Sequence, residues 1–599
     1  MTNQLLIEVD APIEMDDGVV LRADVFRPLG GGRYPVLLSY GPYAKGLAFQ
    51  DGYPEQWEIM CREHPDVPAG STNQYQNWET VDPEKWVPEG YACVRVDSRG
   101  AGRSPGWLDP FSPRETRDLY QCVEWAGTRA WSNGKVGLAG ISYYAINQWH
   151  VAALQPPHLA AICPWEGAAD WYRDMTHHGG ILCSFWANWY RQQVLGVQHG
   201  VGDKGPVSRT TGDPVAGPAT LGPEELARTR TDLEADALAH PLDGEYHRER
   251  SPDWSKVTVP LLSAANWGGQ GLHLRGNVEG WVQAASTHKW LEIHGLEHWT
   301  HFYTDYGRSL QQRFFDHFLK GEANGWDQQP PVLLQIRHAD GTFTERAERD
   351  WPLARTRWTR LHLDLATLGL REQSMDGVAI AAFAALGDGL TVTTEPLPQT
   401  TEITGPVAAK LFVSSSTSDA DLFLVLRVFA PPAERAGERR NAVHGRPAED
   451  GDDEEVTFQG AIDPHTPVAQ GWLRASHRKL DPAQSLPYRP YHSHDEQQPL
   501  TPGEIYELDV ELWPTCVVVP TGYRIALTVR GRDYEYQSTG GGGGAAPARL
   551  GTFANELRGC GPFLHDDPRD RPTETFSGTT TLHAGPAHPS LLLLPIIPK

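Results

Sequence analysis

Apolar residues in the first part of the chain form short runs that alternate with segments of helical spacing. From Leu5 to Val25, apolar and polar residues alternate around Asp17-Gly18, a pair typical of a hairpin turn. Strands that alternate with helices predict a parallel sheet covered by helices, which is an α/β fold. The predicted strands are Val36–Tyr40, Tyr91–Asp97, Lys135–Ala139 and Leu159–Pro164, and the predicted helices are Glu115–Thr128 and Ile146–Leu154.

The pattern changes at about residue 170 and again at about residue 330. From 170 to 253, an aromatic, helix-like portion gives way to a Gly/Pro/Thr-rich stretch and then to a charged helix, so we expect a helical cap inserted into the sheet. Strands are predicted again at Val257–Ser263 and Lys289–Ile293, and a helix from Ser309 to Leu319 is expected to close this part. Beyond Pro330, short alternating runs separated by turn residues predict a β-sandwich.

These patterns predict four segments: 1–169 and 254–329 form the α/β domain, 170–253 forms the cap, and 330–599 forms the β-sandwich. The strand-like runs of the last segment are Val332–Ile336, Trp358–Leu363, Ala408–Val413, Leu422–Val428, Ile505–Leu512 and Tyr523–Val529. Two stretches, Glu434–Glu455 and Ser538–Ala546, are rich in charge and in glycine respectively, and are predicted to be solvated loops.

Composition and charge narrow the function classes. Hydrophobic residues at 40% and charged residues at 21% are typical of a globular protein. A formal net charge of −24 disfavours nucleic acids and anionic membranes as partners, because both would be repelled. The start of the chain has no basic region before a long apolar core, and no stretch is long enough to span a membrane, so a soluble cytoplasmic protein is expected. The oligomeric state is left open, a homo-oligomer included.

The cysteines carry no sign of a disulfide framework. The chain has seven of them, with no Cys-x-x-Cys pair. Cys93, Cys122 and Cys163 lie in apolar surroundings, so buried free thiols are predicted.

Ser142 lies between a predicted strand and a predicted helix, in Gly140-Ile-Ser-Tyr143. A serine at such a sharp turn forms a nucleophile elbow, which raises its hydroxyl off the sheet edge and points backbone N–H groups at the site. The glycine usual two places after the serine is replaced by Tyr144.

Residues on both sides of the elbow match the pattern of a known family. They are Asp97-Ser-Arg-Gly-x-Gly-x-Ser104, Asp118, Glu124-Trp125, Trp131-Ser-Asn-Gly134 and Gly140-Ile-Ser-Tyr143 with Gln148-Trp149. This combination resembles the cocaine esterase and X-Pro dipeptidyl-peptidase family of serine hydrolases, and the likeness extends more loosely over nearly the whole chain. The resemblance implies an α/β-hydrolase fold, with a jelly roll as the C-terminal β-sandwich.

The base that activates a serine hydroxyl is usually a histidine, which in this fold follows the last core strand. After Trp290–Ile293 the chain offers His294, His298 and His301. The family places its base where His298 lies, so His298 is favoured, while a packing role competes most strongly for His294 and His301.

Two donors are expected to stabilise the oxyanion. One is the backbone N–H of Tyr143, the residue after the nucleophile. The resemblance implies the second, a tyrosine hydroxyl in the loop after an early strand, where Gly41-Pro-Tyr-Ala-Lys45 supplies Tyr43.

The triad acid departs from the family pattern. The resemblance implies an aspartate at the position that Gly269 occupies in this chain, and glycine cannot orient an imidazole. Glu166, at the end of the strand after the elbow helix, is the preferred replacement, with Glu297 and Asp170 as weaker candidates. A Ser–His dyad without any acid is the remaining alternative.

No metal site or cofactor is expected. His177-His178 is an adjacent pair, and neighbouring residues seldom point at one ion, while no dinucleotide or phosphate motif is present. Aromatic residues that suit either an acyl pocket or the cap core are Trp165, Trp171, Phe185, Trp186 and Trp189.

The leading prediction is a serine hydrolase that cleaves a small-molecule ester or amide through an acyl-enzyme, with esters favoured. The alternatives are an X-Pro dipeptidyl-peptidase or acyltransferase of the same fold, or a weakly active or non-catalytic binding protein, because the usual acid position is Gly269.

Overall fold

A computed structural model describes residues 5–431, 454–458, 465–535 and 559–598. The predicted loop Ser538–Ala546 lies outside these residues, and so does Glu434–Glu455 apart from its last two residues. The strands of the first half are β1 (Leu5–Glu14), β2 (Val20–Pro28), β3 (Tyr34–Gly41), β4 (Ala92–Asp97), β5 (Ser132–Ile141), β6 (Leu159–Trp165), β7 (His177–His178), β8 (Ile181–Leu182), β9 (Leu261–Asn266), β10 (Lys289–His294) and β11 (Val332–His338).

Nine of these strands form a largely parallel sheet in the order β1-β2-β4-β3-β5-β6-β9-β10-β11, while β7 and β8 form a separate hairpin. The hairpin predicted at Asp17-Gly18 is confirmed, because β1 and β2 pair antiparallel on either side of it. Strand β5 lies in the middle, and its second half, Val136–Ile141, is buried on both faces. The carboxyl ends of β5, β6, β9 and β10 therefore lie along one edge of the sheet, where catalytic loops of such folds gather.

Helices cover the sheet. The two helices predicted before and after the elbow, Glu115–Thr128 and Ile146–Leu154, are confirmed as α4 and α5. The first begins after Ser112, whose hydroxyl accepts from the N–H of Glu115 and caps it. The α-helices are α1 (Phe49–Gly52), α2 (Pro54–Glu63), α3 (Pro83–Trp86), α4 (Pro113–Gly127), α5 (Tyr143–Ala153), α6 (Phe185–Trp189), α7 (Pro223–Ala227), α8 (Leu233–Ala239), α9 (Glu245–Arg248), α10 (Leu274–Gln283), α11 (Thr300–Tyr303), α12 (Asp305–Phe315) and α13 (Thr573–Phe576).

The segment from 170 to 253 is less regular than a helical cap. It contains a π-helical turn at Trp171–Thr176, the hairpin β7–β8 and the short helices α6 to α9, joined by long loops. Glycines at positive φ, such as Gly200 and Gly217, lie in the Gly/Pro/Thr-rich stretch, and the charged helix expected after it is divided into α7 and α8.

Two predicted strands differ from the structure in informative ways. Strand β9 begins at Leu261 instead of Val257, since Pro260 has no N–H to donate to a neighbouring strand. Strand β11 was predicted as the first strand of the β-sandwich, yet Leu291–Ile293 of β10 pairs in parallel with it. Sheet pairing therefore crosses the expected boundary at 330.

The rest of the chain consists mainly of strands around a hydrophobic core of its own, which includes Leu424, Val510 and Leu527. The longest strands pair antiparallel over Thr401–Val413 and Tyr506–Val519. The strands are β12 (Phe343–Glu348), β13 (Arg357–Asp364), β14 (Gly369–Arg371), β15 (Ala379–Ala384), β16 (Leu390–Thr394), β17 (Thr401–Ser415), β18 (Asp421–Ala430), β19 (Glu454–Glu455), β20 (Ala469–Arg474), β21 (Tyr506–Val519), β22 (Arg524–Arg530), β23 (Thr579–Ala584) and β24 (Leu591–Ile597).

Cysteine chemistry follows the sequence prediction. Cys93, Cys122 and Cys163 are buried free thiols.

Within the described residues, no helix combines the length and the apolarity that crossing a bilayer requires.

Candidate active site

Ser142 occupies the sharp turn between β5 and α5. Its backbone has φ 55° and ψ −115°, a left-handed conformation that non-glycine residues adopt rarely and mostly at functional turns. Its N–H donates to the carbonyl oxygens of Trp165 and Glu166, both at 3.2 Å, which ties the turn to the end of β6. The N–H of Tyr143, in the first turn of α5, has no acceptor within the helix and is available to an oxyanion.

Tyr144 fits where a glycine is usual because its neighbours lack side chains. A Cβ on Gly41 would lie 2.7 Å from Cε1 of Tyr144, and one on Gly140 would lie 2.3 Å from Cβ of Tyr144. The missing glycine at 144 is therefore compensated at 41 and 140, and the elbow keeps its shape.

Buried charged side chains hold the loop that carries Tyr43. Asp97 accepts from the N–H of Lys45 at 2.6 Å, and the ammonium of Lys45 pairs with Asp24 at 2.8 Å. Gly102 approaches Asp97 so closely that a Cβ there would lie 2.3 Å from the carboxyl carbon. The Asp97–Ser104 motif thus serves to hold the Tyr43 loop.

The phenol of Tyr43 is buried and lies between aromatic side chains. Its oxygen accepts a hydrogen bond from Nε1 of Trp189 at 3.0 Å. Burial raises the pKa of Tyr43 well above its ordinary value, so the hydroxyl stays protonated and remains a donor. The ring of Trp189 also stacks on Tyr143 with centroids 5.8 Å apart.

His298 and Glu166 meet behind the elbow. Nδ1 of His298 lies 2.7 Å from Oε2 of Glu166, and both side chains are buried. Burial opposes ionisation of Glu166, but His298 and His294 outweigh it and lower the pKa of this carboxyl to about 2. The ionised carboxylate accepts only, so Nδ1 of His298 carries the hydrogen and Nε2 is left to take a proton.

The second oxygen of Glu166 is also engaged. Oε1 lies 2.9 Å from Nε2 of His294 and accepts from Nδ2 of Asn266 at 3.1 Å. His294 in turn contacts Glu292 through Nδ1 at 2.7 Å. Both ring nitrogens of His294 are thus engaged. His301 packs beside the ring of His294, and Nδ1 of His301 lies 3.5 Å from Oγ1 of Thr304.

Glu79, which sequence reasoning missed, faces the other nitrogen of His298. Its Oε1 lies 3.0 Å from Nε2 of His298, and its carbonyl oxygen accepts from the N–H of Ile141 at 3.0 Å. Burial raises the pKa of Glu79 to about 7, although His298 partly offsets it. Among the described residues, the hydroxyl of Ser142 forms no hydrogen bond, so His298 is directed at Glu79 instead of at the serine.

The environment of His298 favours its protonated form. Burial works against the charge, but Glu166 and Glu79 outweigh it and raise the pKa of His298 to about 9. One face of the ring stacks on His273 with centroids 4.5 Å apart, which fixes its plane. Neither Glu79 nor His273 stands in a recognisable motif, so no sequence signal identified them.

Gly269, where the family resemblance led us to expect an aspartate, lies in a crowded place. A Cβ on Gly269 would lie 3.1 Å from the carbonyl oxygen of Asn266 and 3.2 Å from Cβ of His273. The weaker candidates are engaged elsewhere, since Asp170 caps a helical turn and pairs with Arg173 at 2.9 Å, and Glu297 accepts from Thr300 at 3.1 Å.

The aromatic residues around the site divide into two groups. Trp189 contacts Tyr43 and Tyr143 directly, whereas Trp165 packs on His294 with ring centroids 5.2 Å apart. The remaining three, Trp171, Phe185 and Trp186, pack on one another, on Phe111 and on Phe563. Only Trp189 of the predicted set lies beside both expected oxyanion donors.

Two family models match consecutive parts of the chain. Residues 17–303 match the X-Pro dipeptidyl-peptidase (S15 family). Residues 324–593 match the X-Pro dipeptidyl-peptidase C-terminal non-catalytic domain.

Individual relatives align with most of the chain. The chain is 25% identical to a cocaine esterase of Rhodococcus sp. over 98% of both chains. It is 23% identical to an Xaa-Pro dipeptidyl-peptidase of Lacticaseibacillus casei, covering 86% of this chain and 71% of that one. A crystal structure of a CocE/NonD family hydrolase from Staphylococcus aureus superimposes with a TM-score of 0.80 at 30% identity, over 99% of this chain and 94% of that one.

Proposed function

The chain belongs to the cocaine esterase and X-Pro dipeptidyl-peptidase family of serine hydrolases, and within it we propose an esterase that works through Ser142. It is a serine hydrolase of esterase or peptidase type, with a separate C-terminal domain that consists mainly of strands. The observation that carries the proposal is the contact of Glu166 with Nδ1 of His298, directly behind the turn that presents Ser142.

In the proposed reaction, Oγ of Ser142 attacks the carbonyl carbon while Nε2 of His298 takes its proton. The oxyanion accepts from the N–H of Tyr143 and the hydroxyl of Tyr43. The tetrahedral intermediate then collapses, and His298 returns the proton to the leaving alcohol. Water attacks the acyl-enzyme with His298 again as the base, which releases the acid and regenerates Ser142.

Glu166 takes the position of the triad acid in this proposal. Its carboxylate keeps the hydrogen of His298 on Nδ1 and stabilises the imidazolium that forms during attack. The paired contacts with His294 and Asn266 support a fixed orientation of that carboxylate. Glu166 is therefore a positioning residue that acts through His298.

We also propose an α/β-hydrolase fold for the first part of the chain and a jelly roll for the last. The strand order and the elbow after β5 support an α/β-hydrolase fold, and the antiparallel strands with their own core support a jelly roll. The division into 1–169, 170–253, 254–329 and 330–599 is retained, although the pairing of β10 with β11 crosses the last boundary.

Esters are expected to be cleaved faster than X-Pro amides. A dipeptidyl-peptidase must pair a carboxylate with the free amine of its substrate, and the carboxylate beside the proposed base, Glu79, is already bonded to His298. We expect kcat/KM for p-nitrophenyl acetate or butyrate to exceed that for Ala-Pro-p-nitroanilide by more than about tenfold.

N-acetyl-Ala-Pro-p-nitroanilide is the matched control, because it lacks the free amine. Faster cleavage of the free anilide than of the esters, with loss of cleavage on acetylation, would identify a dipeptidyl-peptidase instead. A fluorophosphonate probe that fails to label the protein would exclude an activated serine altogether.

Glu79→Gln is expected to shift the pH profile of ester hydrolysis to lower pH. His298 must be neutral to accept a proton, so kcat/KM should rise with pH toward the pKa of His298, which is about 9. Removing the Glu79 charge takes away one of the two interactions that raise this pKa. The rising limb should therefore move down by about one pH unit.

The measurement is kcat/KM between pH 5 and about 10 for the wild type and the variant. Glu84→Gln removes a buried carboxylate from α3, five residues later in the chain, and should leave the rising limb of the pH profile unchanged. An unshifted limb in Glu79→Gln would show that Glu79 does not hold His298 in solution.

A further inference from the structure

Three metal-ligating side chains meet in the interior, away from the proposed active site. They are His178 from β7, Cys183 just after β8, and His565 from the C-terminal domain. One ligand atom from each lies within 4.8 Å of the others, and all three side chains are buried. We propose that His178, Cys183 and His565 bind a divalent metal ion, with Zn²⁺ the best match.

The two histidines face each other through one ring nitrogen each, Nδ1 of His178 and Nε2 of His565. Nδ1 of His565 lies 2.7 Å from Oδ1 of Asp533, a carboxylate that only accepts, so this nitrogen carries the hydrogen. Nε2 of His178 lies 3.3 Å from the carbonyl oxygen of Asp174, which also only accepts. A hydrogen on Nε2 of His178 leaves Nδ1 of His178 and Nε2 of His565 both unprotonated, whereas a hydrogen on Nδ1 of His178 makes their contact an ordinary N–H···N hydrogen bond.

These two nitrogens lie only 2.8 Å apart. In the tautomer with hydrogen on Nε2 of His178, two lone pairs face each other at this distance and repel unless a cation lies between them. A shared proton is one such cation, but it would place an imidazolium in a buried site whose walls include Trp472 and Trp513. A metal ion uses both lone pairs, after the nitrogens separate to the roughly 3.3 Å that tetrahedral zinc requires.

The position of Cys183 favours a metal ion over a shared proton at this site. A shared proton needs only the two histidines, whereas a thiol beside them completes a Cys-His₂ ligand set typical of Zn²⁺. Burial raises the pKa of the Cys183 thiol, and the backbone N–H of Phe185, which donates to the sulfur, partly opposes that rise. Asp533 orients His565 in the way that carboxylates orient zinc-bound histidines.

The ion would join segments that are distant in the sequence. His178 and His565 are 387 residues apart, and next to the cluster the N–H of Ser184 donates to the carbonyl oxygen of Leu564 at 2.8 Å. Bound metal would therefore fasten the hairpin β7–β8 to the C-terminal domain. No spacing motif predicts this site, because its ligands come from separate parts of the chain.

The test uses the full-length protein expressed in zinc-replete medium. Metal analysis should find about one zinc per chain, falling at least tenfold in Cys183→Ser and His565→Gln. Cys122→Ser, which replaces a buried thiol elsewhere, should retain the metal. Asp533→Asn should keep the site but weaken its affinity by about 10- to 100-fold.

Cobalt substitution keeps the test decisive if a variant does not fold. Wild-type protein stripped with a chelator and titrated with Co²⁺ should show a thiolate-to-metal charge-transfer band, and Zn²⁺ should raise its Tm. Wild-type protein without zinc, without the cobalt band and without a Tm shift would overturn the proposal in favour of a shared proton. Zinc that persists in both ligand variants would place the metal elsewhere and equally overturn it.

Discussion

Ser142→Ala is expected to reduce kcat for short-chain aryl esters by at least about a thousandfold, because it removes the proposed nucleophile. The backbone of the turn should be preserved, since its position depends on the N–H of residue 142 and not on the hydroxyl. Among the described residues, that hydroxyl forms no hydrogen bond, so the free energy of unfolding should change by less than about 1 kcal/mol. Steady-state hydrolysis, fluorophosphonate labelling and thermal unfolding measure the three quantities.

Ser39→Ala provides the matched control for this substitution. Ser39 lies on the neighbouring strand β3, and its hydroxyl donates to the carbonyl oxygen of Ala139 at 2.9 Å. Its removal should affect stability more than Ser142→Ala does, while kcat stays within about tenfold of the wild type. Residual turnover of Ser142→Ala above about a thousandth of wild type would exclude Ser142 as the nucleophile.

Glu166→Gln is expected to reduce kcat by about 10³- to 10⁴-fold with little change in KM. The carboxylate accepts from Nδ1 of His298, whereas an amide can present its NH₂ group there and favour the tautomer with hydrogen on Nε2. That tautomer cannot take the proton of Ser142. Substrate binding should be spared because Glu166 lies behind the histidine.

Two further carboxylate variants separate this role from a general loss of charge. Glu297→Gln and Asp170→Asn should remain within about tenfold of wild-type kcat, since these carboxylates bond to Thr300 and Arg173. Near-normal activity of Glu166→Gln together with a large loss in one control would reassign the acid to that residue. Activity in all three variants would mean that the enzyme operates as a Ser–His dyad.

The parts of the site that are set by local sequence could be predicted. The elbow follows from a buried strand, a turn and a helix within about twenty residues, and α5 begins at Tyr143. Glu166 was predicted from its place at a strand end, because parallel strands bring their carboxyl ends to one edge, and His298 from the place that the family resemblance implies for the base. The contact between them agrees with that expectation, while their roles stay predictions.

The parts that depend on long-range packing could not be predicted. Glu79 lies in a loop before α3, and only the folded chain brings it to His298, 219 residues later. Strand β11 was assigned to the β-sandwich because its alternation of apolar and polar residues can be seen in the local sequence. Its pairing with β10 depends on the folded chain and could not be seen there.

The contacts of Glu166 extend in both directions into a row of alternating acids and bases: Glu292, His294, Glu166, His298 and Glu79. Groups in such direct contact do not lose their protons independently, and the ionisations that kinetics would detect belong to the row as a whole. Neutralising a carboxylate at one end should therefore alter the proton affinity of a histidine at the other. A pH-rate profile of this enzyme would therefore report macroscopic constants that belong to the connected groups together and to none of them alone.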